Sequence, residues 1–282
     1  MTEREREAAE EQARNVILRS TEEQIARVDA VARDSGHRMF PYQRVGALWL
    51  ATRHGAILGD ASGLGKTVTC LAALPSNAPV LIVAPAVSRG LWGSEVTRWR
   101  PGLRCTLLMG RKDFRWPEAG EALVMSYDAL PEALDDLSAA LADGFEDPPA
   151  EMVLVADEAH WLKHARSLRW TRFHALSRLV QGLEGRVWLL TGVPLEGSPV
   201  ELWTILRAAG LAKRAFGSWE TFVQLFGGTS NAGPHGSYYT WGTPDEKAIR
   251  ERLSLVMLRR VYEDVITELS PEVGPAYEGV AR

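Results

Sequence analysis

Six short apolar runs lie along the middle of the chain, and segments of helical periodicity separate most of them. The runs are GAILGD, PVLIVAP, CTLLMG, ALVMSY, MVLVADE and RVWLLTG. Continuous apolar runs of this length are typical of strands that are buried on both faces of a parallel sheet. The pattern therefore predicts an α/β fold, a parallel sheet covered by helices on both faces, with ligand-binding loops after the carboxyl ends of the strands.

The two ends of the chain follow other patterns. Residues 1–36 are rich in Glu, Arg, Ala and Gln, with apolar residues at helical spacing, which predicts a helical leader. Residues 37–225 hold the alternation of strands and helices and are expected to form the main domain. Residues 226–282 begin with a turn-rich insertion, Phe226–Glu246, and the stretch EKAIRERLSLVMLRR that follows predicts a final helix.

Composition and charge exclude several classes of protein. The two cysteines, Cys70 and Cys105, are far apart, so neither a disulfide framework nor a zinc site is expected. No apolar run reaches the roughly 20 residues of a membrane-spanning helix, which predicts no membrane contact and a cytoplasmic location, or a nuclear one in a eukaryote. The net charge of -4 argues against coating of nucleic acid by bulk charge, although basic segments such as KHARSLRWTRFHALSR leave room for a local patch.

The stretch ILGDASGLGKTVTCLAAL, residues 57–74, has the order of a phosphate-binding loop: a strand, a glycine-containing loop and a helix. In that arrangement Gly63 and Gly65 let the backbone approach the phosphates. Lys66 reaches the β and γ phosphates, and the Thr67 hydroxyl ligates Mg²⁺. Asp60 stands where the strict pattern has a glycine. Because GKT is a common chance sequence, the loop alone is an ambiguous signal.

The segment MVLVADEAH supplies a second motif, a buried strand that ends in two adjacent carboxylates. Successive side chains at a strand end diverge, so Asp157 could hold Mg²⁺ while Glu158 orients or deprotonates an attacking water. The alternative is a surface acidic pair that follows a strand. The correct order of the two motifs along the chain favours nucleotide hydrolysis.

Four segments together carry a resemblance to a known family. DASGLGKT, VADEAH, WLLTGVPLEG and LRRVYEDVITELSP resemble motifs I, II and III and the lobe-connecting segment of the Swi/Snf-type ATPases of helicase superfamily two, over roughly Arg38–Glu272. That family has an acidic residue at the position of Asp60, so the missing glycine supports the resemblance. Ala61, Ser62 and Val193 depart from the residues that are frequent in the family. The resemblance implies a RecA-like P-loop lobe with a small C-terminal insertion and a helical linker.

The resemblance also implies roles for individual residues. FPYQRVGALWL resembles the glutamine motif, so Gln43 is expected to bind the adenine edge, since an amide can donate and accept together. LIVAPAVSRGLWGSEVTRWRP resembles motif Ia, whose loop touches one DNA strand, and LVMSYDAL resembles motif Ib. Thr191 and Gly192 are expected to couple the nucleotide and nucleic-acid sites, and His160 to link motifs II and III. The implied ATP site comprises Gln43, Asp60, Gly63, Leu64, Gly65, Lys66 and Thr67.

Several of these residues have a simpler alternative. Gln43 could cap a helix or face solvent, and Thr191 could merely end a strand. For the tryptophans at helical spacing, core packing is favoured over base stacking; these are Trp49, Trp92, Trp99 and Trp203.

The function that the resemblance implies is that of the N-terminal lobe of a DNA-dependent ATPase that translocates on double-stranded DNA. Motors of this family have two RecA-like lobes, and the second supplies arginine fingers. We therefore expect weak hydrolysis by this lobe alone, and a second lobe either in trans or in a missing C-terminal part. The alternatives are a non-catalytic, ATP-switched module that binds nucleic acid or protein, and a strand-separating helicase. LRRVYEDVITELSP favours the duplex translocase over the helicase.

Overall fold

A computed structural model of the chain describes residues 11, 14–131, 152–193, 197–233 and 236–265. Within these ranges, seven strands form one sheet in which each neighbouring pair is parallel. They are β1 (Gly55–Leu58), β2 (Val80–Ala84), β3 (Arg104–Leu107), β4 (Glu121–Ser126), β5 (Val153–Ala156), β6 (Arg186–Leu190) and β9 (Met257–Leu258). The order across the sheet is β3-β4-β2-β5-β6-β1-β9, and β7 (Gly228–Gly233) and β8 (Gly236–Trp241) form a separate antiparallel hairpin.

Helices connect most of the strands. They are α1 (Glu22–Ser35), α2 (Pro41–Ala51), α3 (Lys66–Ala73), α4 (Arg89–Trp99), α5 (Leu168–Gly182), α6 (Pro199–Ala208), α7 (Ala212–Phe216), α8 (Trp219–Leu225), α9 (Glu246–Ser254) and α10 (Tyr262–Val265). Residues 14–19 are also helical. Short 3₁₀ turns follow several strands, at Ala86–Ser88, Arg111–Asp113, Tyr127–Ala129 and Ala159–Leu162.

The core lies on both faces of the sheet, as the continuous apolar runs predict. Side chains alternate along each strand. On β2, Leu81 and Val83 face the cluster that α5, α6, α7 and α8 complete, whereas Val80, Ile82 and Ala84 face the cluster with α1, α2, α3 and α4. The predicted parallel sheet covered by helices on both faces is therefore confirmed, and its six predicted strands are β1 to β6.

The predicted final helix is wrong in its second half. The helix α9 ends at Ser254, and Met257 and Leu258 instead form β9 at the sheet edge beside β1. Backbone hydrogen bonds from Ile57 N–H to Val256 O (2.8 Å) and from Gly59 N–H to Leu258 O (2.7 Å) hold this strand. The free energy gained by burying the apolar run against β1 outweighs the helical preference that the spacing of the surrounding residues indicates.

The turn-rich insertion predicted at Phe226–Glu246 contains the hairpin of β7 and β8. Its inner face packs on α8 through an aromatic cluster in which Trp219 Nε1 donates to the Tyr239 hydroxyl at 3.0 Å. Rings of Phe222, Phe226 and Trp241 complete the cluster. The described part of the insertion is therefore a hairpin packed on α8.

The remaining expectations about the fold have mixed outcomes. Core packing of the tryptophans is confirmed for Trp49, Trp92 and Trp99, which are buried on one face of the sheet, and Trp203 is partly buried against the core on the other face. The beginning of the leader at 1–10, and residues 266–282 with the end of the linker-like stretch, lie outside the described residues. The boundaries 1–36, 37–225 and 226–282 stay predictions. Among the described residues, no helix is long and apolar enough to span a membrane.

Candidate functional site

The loop between β1 and α3 has the shape of an anion-binding loop. Gly63 and Gly65 have φ angles of +85° and +76°, a left-handed conformation that glycine adopts without steric cost. The helix α3 begins directly afterwards at Lys66, and among the described residues no side chain caps its N-terminus. The free N–H groups and the positive end of the helix dipole therefore point into the loop, where they can bind a phosphate.

Lys66 lies at the centre of this site. Its Nζ donates to the backbone carbonyls of Asp60 (2.9 Å) and Ala61 (3.3 Å), and the residue is 9% exposed. Burial lowers the pKa of Lys66, and the negative charges of Glu158, Asp60 and Asp157 oppose that shift. The two predicted motifs thus meet around one lysine, at the carboxyl edge of the sheet.

The two carboxylates after β5 have different partners. Asp157 is partly buried, and its pKa is raised mainly by that burial. Its Oδ1 accepts the N–H of Glu158 at 3.0 Å, and Oδ2 accepts the indole N–H of Trp92 at 2.8 Å. Glu158 has φ 50° and ψ 51°, a left-handed conformation that costs a non-glycine residue about 1–3 kcal/mol. The Glu158 side chain is 37% exposed.

Of the two residues directly after β6, Thr191 contacts the end of β1 and Gly192 lies against the phosphate loop. Thr191 N–H donates to Leu58 O at 3.1 Å, and its hydroxyl accepts the N–H of Val193 at 3.2 Å. A Cβ on Gly192 would lie 2.7 Å from Ser62 Oγ and 3.5 Å from Lys66 Nζ. A side chain at Gly192 would require the Ser62 hydroxyl to move, so motifs I and III lie close together.

His160 lies beside Glu158 in the turn Ala159–Leu162. The distance from His160 Nδ1 to Glu158 Oε2 is 3.1 Å, although the two groups are not aligned as a hydrogen bond. The His160 ring therefore lies close to the Glu158 carboxylate.

Gln43 has the capping role that the sequence left open, together with a contact to the loop. Its Oε1 accepts the N–H of Phe40 at 3.0 Å, which closes the first turn of α2. Its Nε2 donates to Leu64 O at 3.3 Å, and the Tyr42 hydroxyl donates to the same carbonyl at 3.1 Å. The adenine-binding role of Gln43 stays a prediction.

The residue that replaces the strict glycine, Asp60, is completely buried and forms an ion pair with Arg260. Arg260 donates its backbone N–H and its Nε to Asp60 Oδ1, both at 3.0 Å, and its Nη2 bonds to Oδ2. The Arg260 guanidinium also bonds to the carbonyl of Tyr42 and lies over the Tyr42 ring. The Asp60 carboxylate thus anchors the loop from beneath.

Two neighbours of Arg260 hold the same loop. Arg259 Nη1 donates to the carbonyls of Gly59 and Gly192, each at 3.2 Å. The Tyr262 hydroxyl donates to Ser62 O at 2.9 Å. The segment after β9 therefore clamps motifs I and III together, about 200 residues along the chain from the loop.

Sequence reasoning missed this clamp and the contacts of Trp92. One signal could have pointed to the clamp: an acidic residue inside a phosphate loop needs a cation if it is buried, and the LRR run follows a short apolar stretch. The bond of Trp92 to Asp157 had no local signal, because 65 residues separate the two.

The donor set fits Mg²⁺. The Thr67 hydroxyl and the Asp157 carboxylate supply hard oxygen atoms, which Mg²⁺ prefers. Each Asp157 oxygen accepts one hydrogen bond and keeps further acceptor capacity. Within the described part of the chain, no three His, Cys, Asp or Glu residues cluster as a metal site. The ion would therefore need phosphate oxygens and water to complete its shell.

A cavity of about 920 Å³ adjoins the site at His160 and Val193. Apolar side chains of α6 and α9, including Leu202 and Leu253, line it, and Arg259 belongs to its wall. Because Arg259 also bonds to motifs I and III, the cavity and the phosphate loop share a wall.

Most of this chain matches known proteins. The family described as SNF2-related domain matches residues 17–276. DNA annealing helicase and endonuclease ZRANB3 from Homo sapiens is 28% identical over 250 residues, which cover 84% of this chain and 22% of the relative. SWI/SNF-related matrix-associated actin-dependent regulator of chromatin subfamily A-like protein 1 from Xenopus tropicalis is 30% identical over 195 residues, 66% of this chain and 19% of the relative. The chain spans about a fifth of the length of these relatives.

A solved structure has the same fold. The Sulfolobus solfataricus SWI2/SNF2 ATPase core in complex with dsDNA superimposes with a TM-score of 0.56 at 21% identity, over 86% of this chain and 51% of the other. This match and the parallel sheet confirm the RecA-like fold, and the family match confirms the resemblance drawn from the motifs.

Proposed function

The chain belongs to the SNF2-related family, and on that premise we propose that it is the nucleotide-binding lobe of a DNA-dependent ATP hydrolase that translocates on double-stranded DNA. Relatives such as the chromatin-remodeling ATPase INO80 from Arabidopsis thaliana support an ATP hydrolase kind of activity. The observation that carries the proposal is the meeting of the uncapped phosphate loop, Lys66, Asp157 and Glu158 at one edge of the sheet.

In the proposed reaction, the N–H groups at the start of α3 bind the phosphates of ATP, with Gly63 and Gly65 keeping the backbone close. Lys66 exchanges the carbonyls of Asp60 and Ala61 for phosphate oxygens and so places its charge on the β and γ phosphates. Thr67 and Asp157 hold Mg²⁺, which, when bound, neutralises the charge that develops on these phosphates. Glu158 orients the attacking water and accepts its proton.

The remaining site residues act around this centre. Gln43 is assigned to the adenine edge, while Leu64 and Asp60 hold the loop through their contacts with Gln43 and Arg260. Thr191, Gly192 and His160 are assigned to coupling, since motif III contacts Ser62 of the loop and His160 lies beside Glu158.

The DNA partner is proposed on two grounds. The solved core of the same fold is a complex with double-stranded DNA, and the human relative is named as a DNA annealing helicase. The turns Ala86–Ser88 and Tyr127–Ala129, in the segments that resemble motifs Ia and Ib, follow the neighbouring strands β2 and β4 and therefore lie at the same sheet edge as the nucleotide site. The chain would act wherever its DNA is kept, in the cytoplasm or the nucleus.

The test compares ATP binding and hydrolysis by the wild type and Lys66→Ala, each without DNA, with single-stranded DNA and with duplex DNA. Lys247→Ala, an exposed lysine on α9, is the matched control. We expect Mg²⁺-dependent ATP binding and duplex-stimulated turnover in the wild type and the control, and neither in Lys66→Ala. Unchanged turnover in Lys66→Ala would contradict the assignment.

The same assay separates the alternatives. ATP binding without hydrolysis under every condition, even with a second lobe added, would support a switched binding module. A translocation assay and a strand-separation assay on the same duplex then distinguish a translocase from a strand-separating helicase.

A further inference from the structure

Asp157 is held at two points by aromatic side chains from other elements. Trp92, on the first turn of α4, donates its indole N–H to Asp157 Oδ2 at 2.8 Å. Tyr127, directly after β4, donates its hydroxyl to the backbone carbonyl of Asp157 at 2.7 Å. One bond therefore fixes the carboxylate and the other fixes the backbone that carries it.

Both donors are buried, so neither bond has water as a ready substitute. Trp92 and Tyr127 are each 1% exposed. A buried donor that loses its acceptor costs about 1–3 kcal/mol, which keeps these bonds formed. The Tyr127 ring also stacks on Trp161 of the turn after Glu158, with ring centres 5.7 Å apart. The position of Asp157 is thus determined by α4, by the turn after β4 and by the turn after β5.

The contact of Trp92 is more than core packing, as a second tryptophan of the same helix illustrates. Trp99, at the last position of α4, is 6% exposed, yet its indole N–H has no acceptor among the described residues. Burial on this helix therefore does not require an N–H acceptor. At Trp92 the acceptor is Asp157, one of the two side chains assigned to Mg²⁺.

We infer that Trp92 and Tyr127 are positioning residues that orient the Asp157 carboxylate for Mg²⁺. The inference rests on the proposed function, in which Asp157 is a metal ligand. A carboxylate that accepts one fixed hydrogen bond on Oδ2 presents its remaining lone pairs in a fixed direction. Outer partners of this kind typically change metal affinity by about 10–100-fold when they are removed. Through them, α4 and the turn Tyr127–Ala129 are joined to Asp157.

The experiment measures the binding of a fluorescent ATP analogue to the full chain as Mg²⁺ is titrated. A second series titrates the analogue itself in EDTA, where no free Mg²⁺ is present. Trp92→Phe removes the N–H and keeps most of the ring, and Tyr127→Phe removes a single hydroxyl. We expect the Mg²⁺ midpoint to rise about 10-fold or more in Trp92→Phe, with a rise in Tyr127→Phe as well, and no change in EDTA. Trp99→Phe, the matched control, should have the wild-type midpoint.

Asp157→Asn separates the two levels of the proposal. If its midpoint is raised and that of Trp92→Phe equals the wild type, the positioning role is overturned and the proposed function stands. If Asp157→Asn itself titrates as the wild type, the metal assignment and the inference both fail. Should Trp92→Phe not fold, as judged by its melting temperature against Trp99→Phe, Tyr127→Phe decides, and a wild-type midpoint there overturns the inference.

Discussion

Asp60 and Arg260 form a buried ion pair beneath the phosphate loop, and this pair explains why a strict glycine is absent. The Asp60 side chain is fully buried and that of Arg260 is 12% exposed. A buried charge that loses its partner is strongly unfavourable, because its desolvation is no longer offset. We therefore assign Asp60 to loop anchoring. We expect a glycine at this position, as in the strict phosphate-loop pattern, to make the protein less stable.

The prediction is that Asp60→Gly, which restores the general phosphate-loop pattern, destabilises the protein by about 3–5 kcal/mol. The physical reason is that the guanidinium of Arg260 loses its carboxylate partner and keeps only uncharged partners, the carbonyl and the ring of Tyr42. Urea unfolding at neutral pH measures the change. ATP binding should weaken as well, since Arg260 and the loop are no longer fixed to each other.

A double-mutant cycle checks the cause. Asp60→Gly combined with Arg260→Leu removes both charges. The double variant should therefore lose about 0.5–3 kcal/mol less unfolding free energy than the sum of the two single losses. Strict additivity of the two changes would show that the ion pair is not the source of the loss.

Residue-level chemistry was partly predictable from the sequence. Lys66, Asp157 and Glu158 follow local spacings, and the structure brings them together at one edge. Arg260 and Trp92 contact carboxylates that lie 200 and 65 residues away in the sequence. Only the strand order of the sheet brings such distant residues together. A pattern that is local in sequence carries no information on such partners.

At the scale of elements, the edge of the sheet is held by a buried carboxylate. Glu121, the first residue of β4, is 2% exposed and accepts two hydrogen bonds from Arg115, at 2.5 and 2.6 Å. The Thr106 hydroxyl of β3 donates to it at 3.1 Å. The Arg115 guanidinium is the main cause that lowers the pKa of Glu121 from 4.5 to about 2.

The sign of the pH effect follows from that lowered pKa. A carboxyl whose pKa is lower in the folded state stabilises the fold above its unfolded pKa, and the gain is lost as the pH falls through the folded pKa. Glu121→Gln should therefore lower the free energy of unfolding by about 1.5–3 kcal/mol at pH 7. The difference from the wild type should shrink as the pH falls from 4.5 towards 2.

Glu118→Gln is the matched control, since Glu118 pairs with Arg104 on the exposed surface, where its side chain is 69% exposed. Such pairs contribute about 0–1 kcal/mol. Urea unfolding of both variants between pH 3 and pH 7 makes the comparison. A Glu121→Gln deficit that persists unchanged at pH 3 would contradict the assigned cause.

Elements differ in how far their sequence determines them. The strands β1 to β6 are continuous apolar runs with covering helices, so periodicity alone predicts them. The strand β9 has two residues and follows a strongly amphipathic helix, so its apolar residues look like a continuation of that helix. Its pairing with β1 is a tertiary effect, and so is the anchoring of β7 and β8 on the aromatic residues of α8.

At the scale of the whole molecule, the site is open on one side. The phosphate loop, Asp157 and Glu158 lie at the carboxyl edge of the sheet, and Glu158 is partly exposed there. The chain matches 51% of the solved SWI2/SNF2 ATPase core. By resemblance, the rest of such a core contains the second lobe with its arginine fingers. The proposal assigns nucleotide binding, water activation and metal ligation to residues of this chain, and stabilisation of the transferring phosphate to that second lobe.

The last prediction concerns this division of labour. An arginine supplied from outside raises phosphoryl-transfer rates by about 10³–10⁵, because it stabilises charge that develops only in the transition state. The chain alone should therefore bind ATP yet hydrolyse it slowly with duplex DNA. Joining it to the second lobe of the Sulfolobus solfataricus core should raise turnover by at least 10³, and the gain should vanish in the same fusion with Lys66→Ala or without the finger arginines. Turnover by the chain alone that equals the fusion would place the missing charge within this chain.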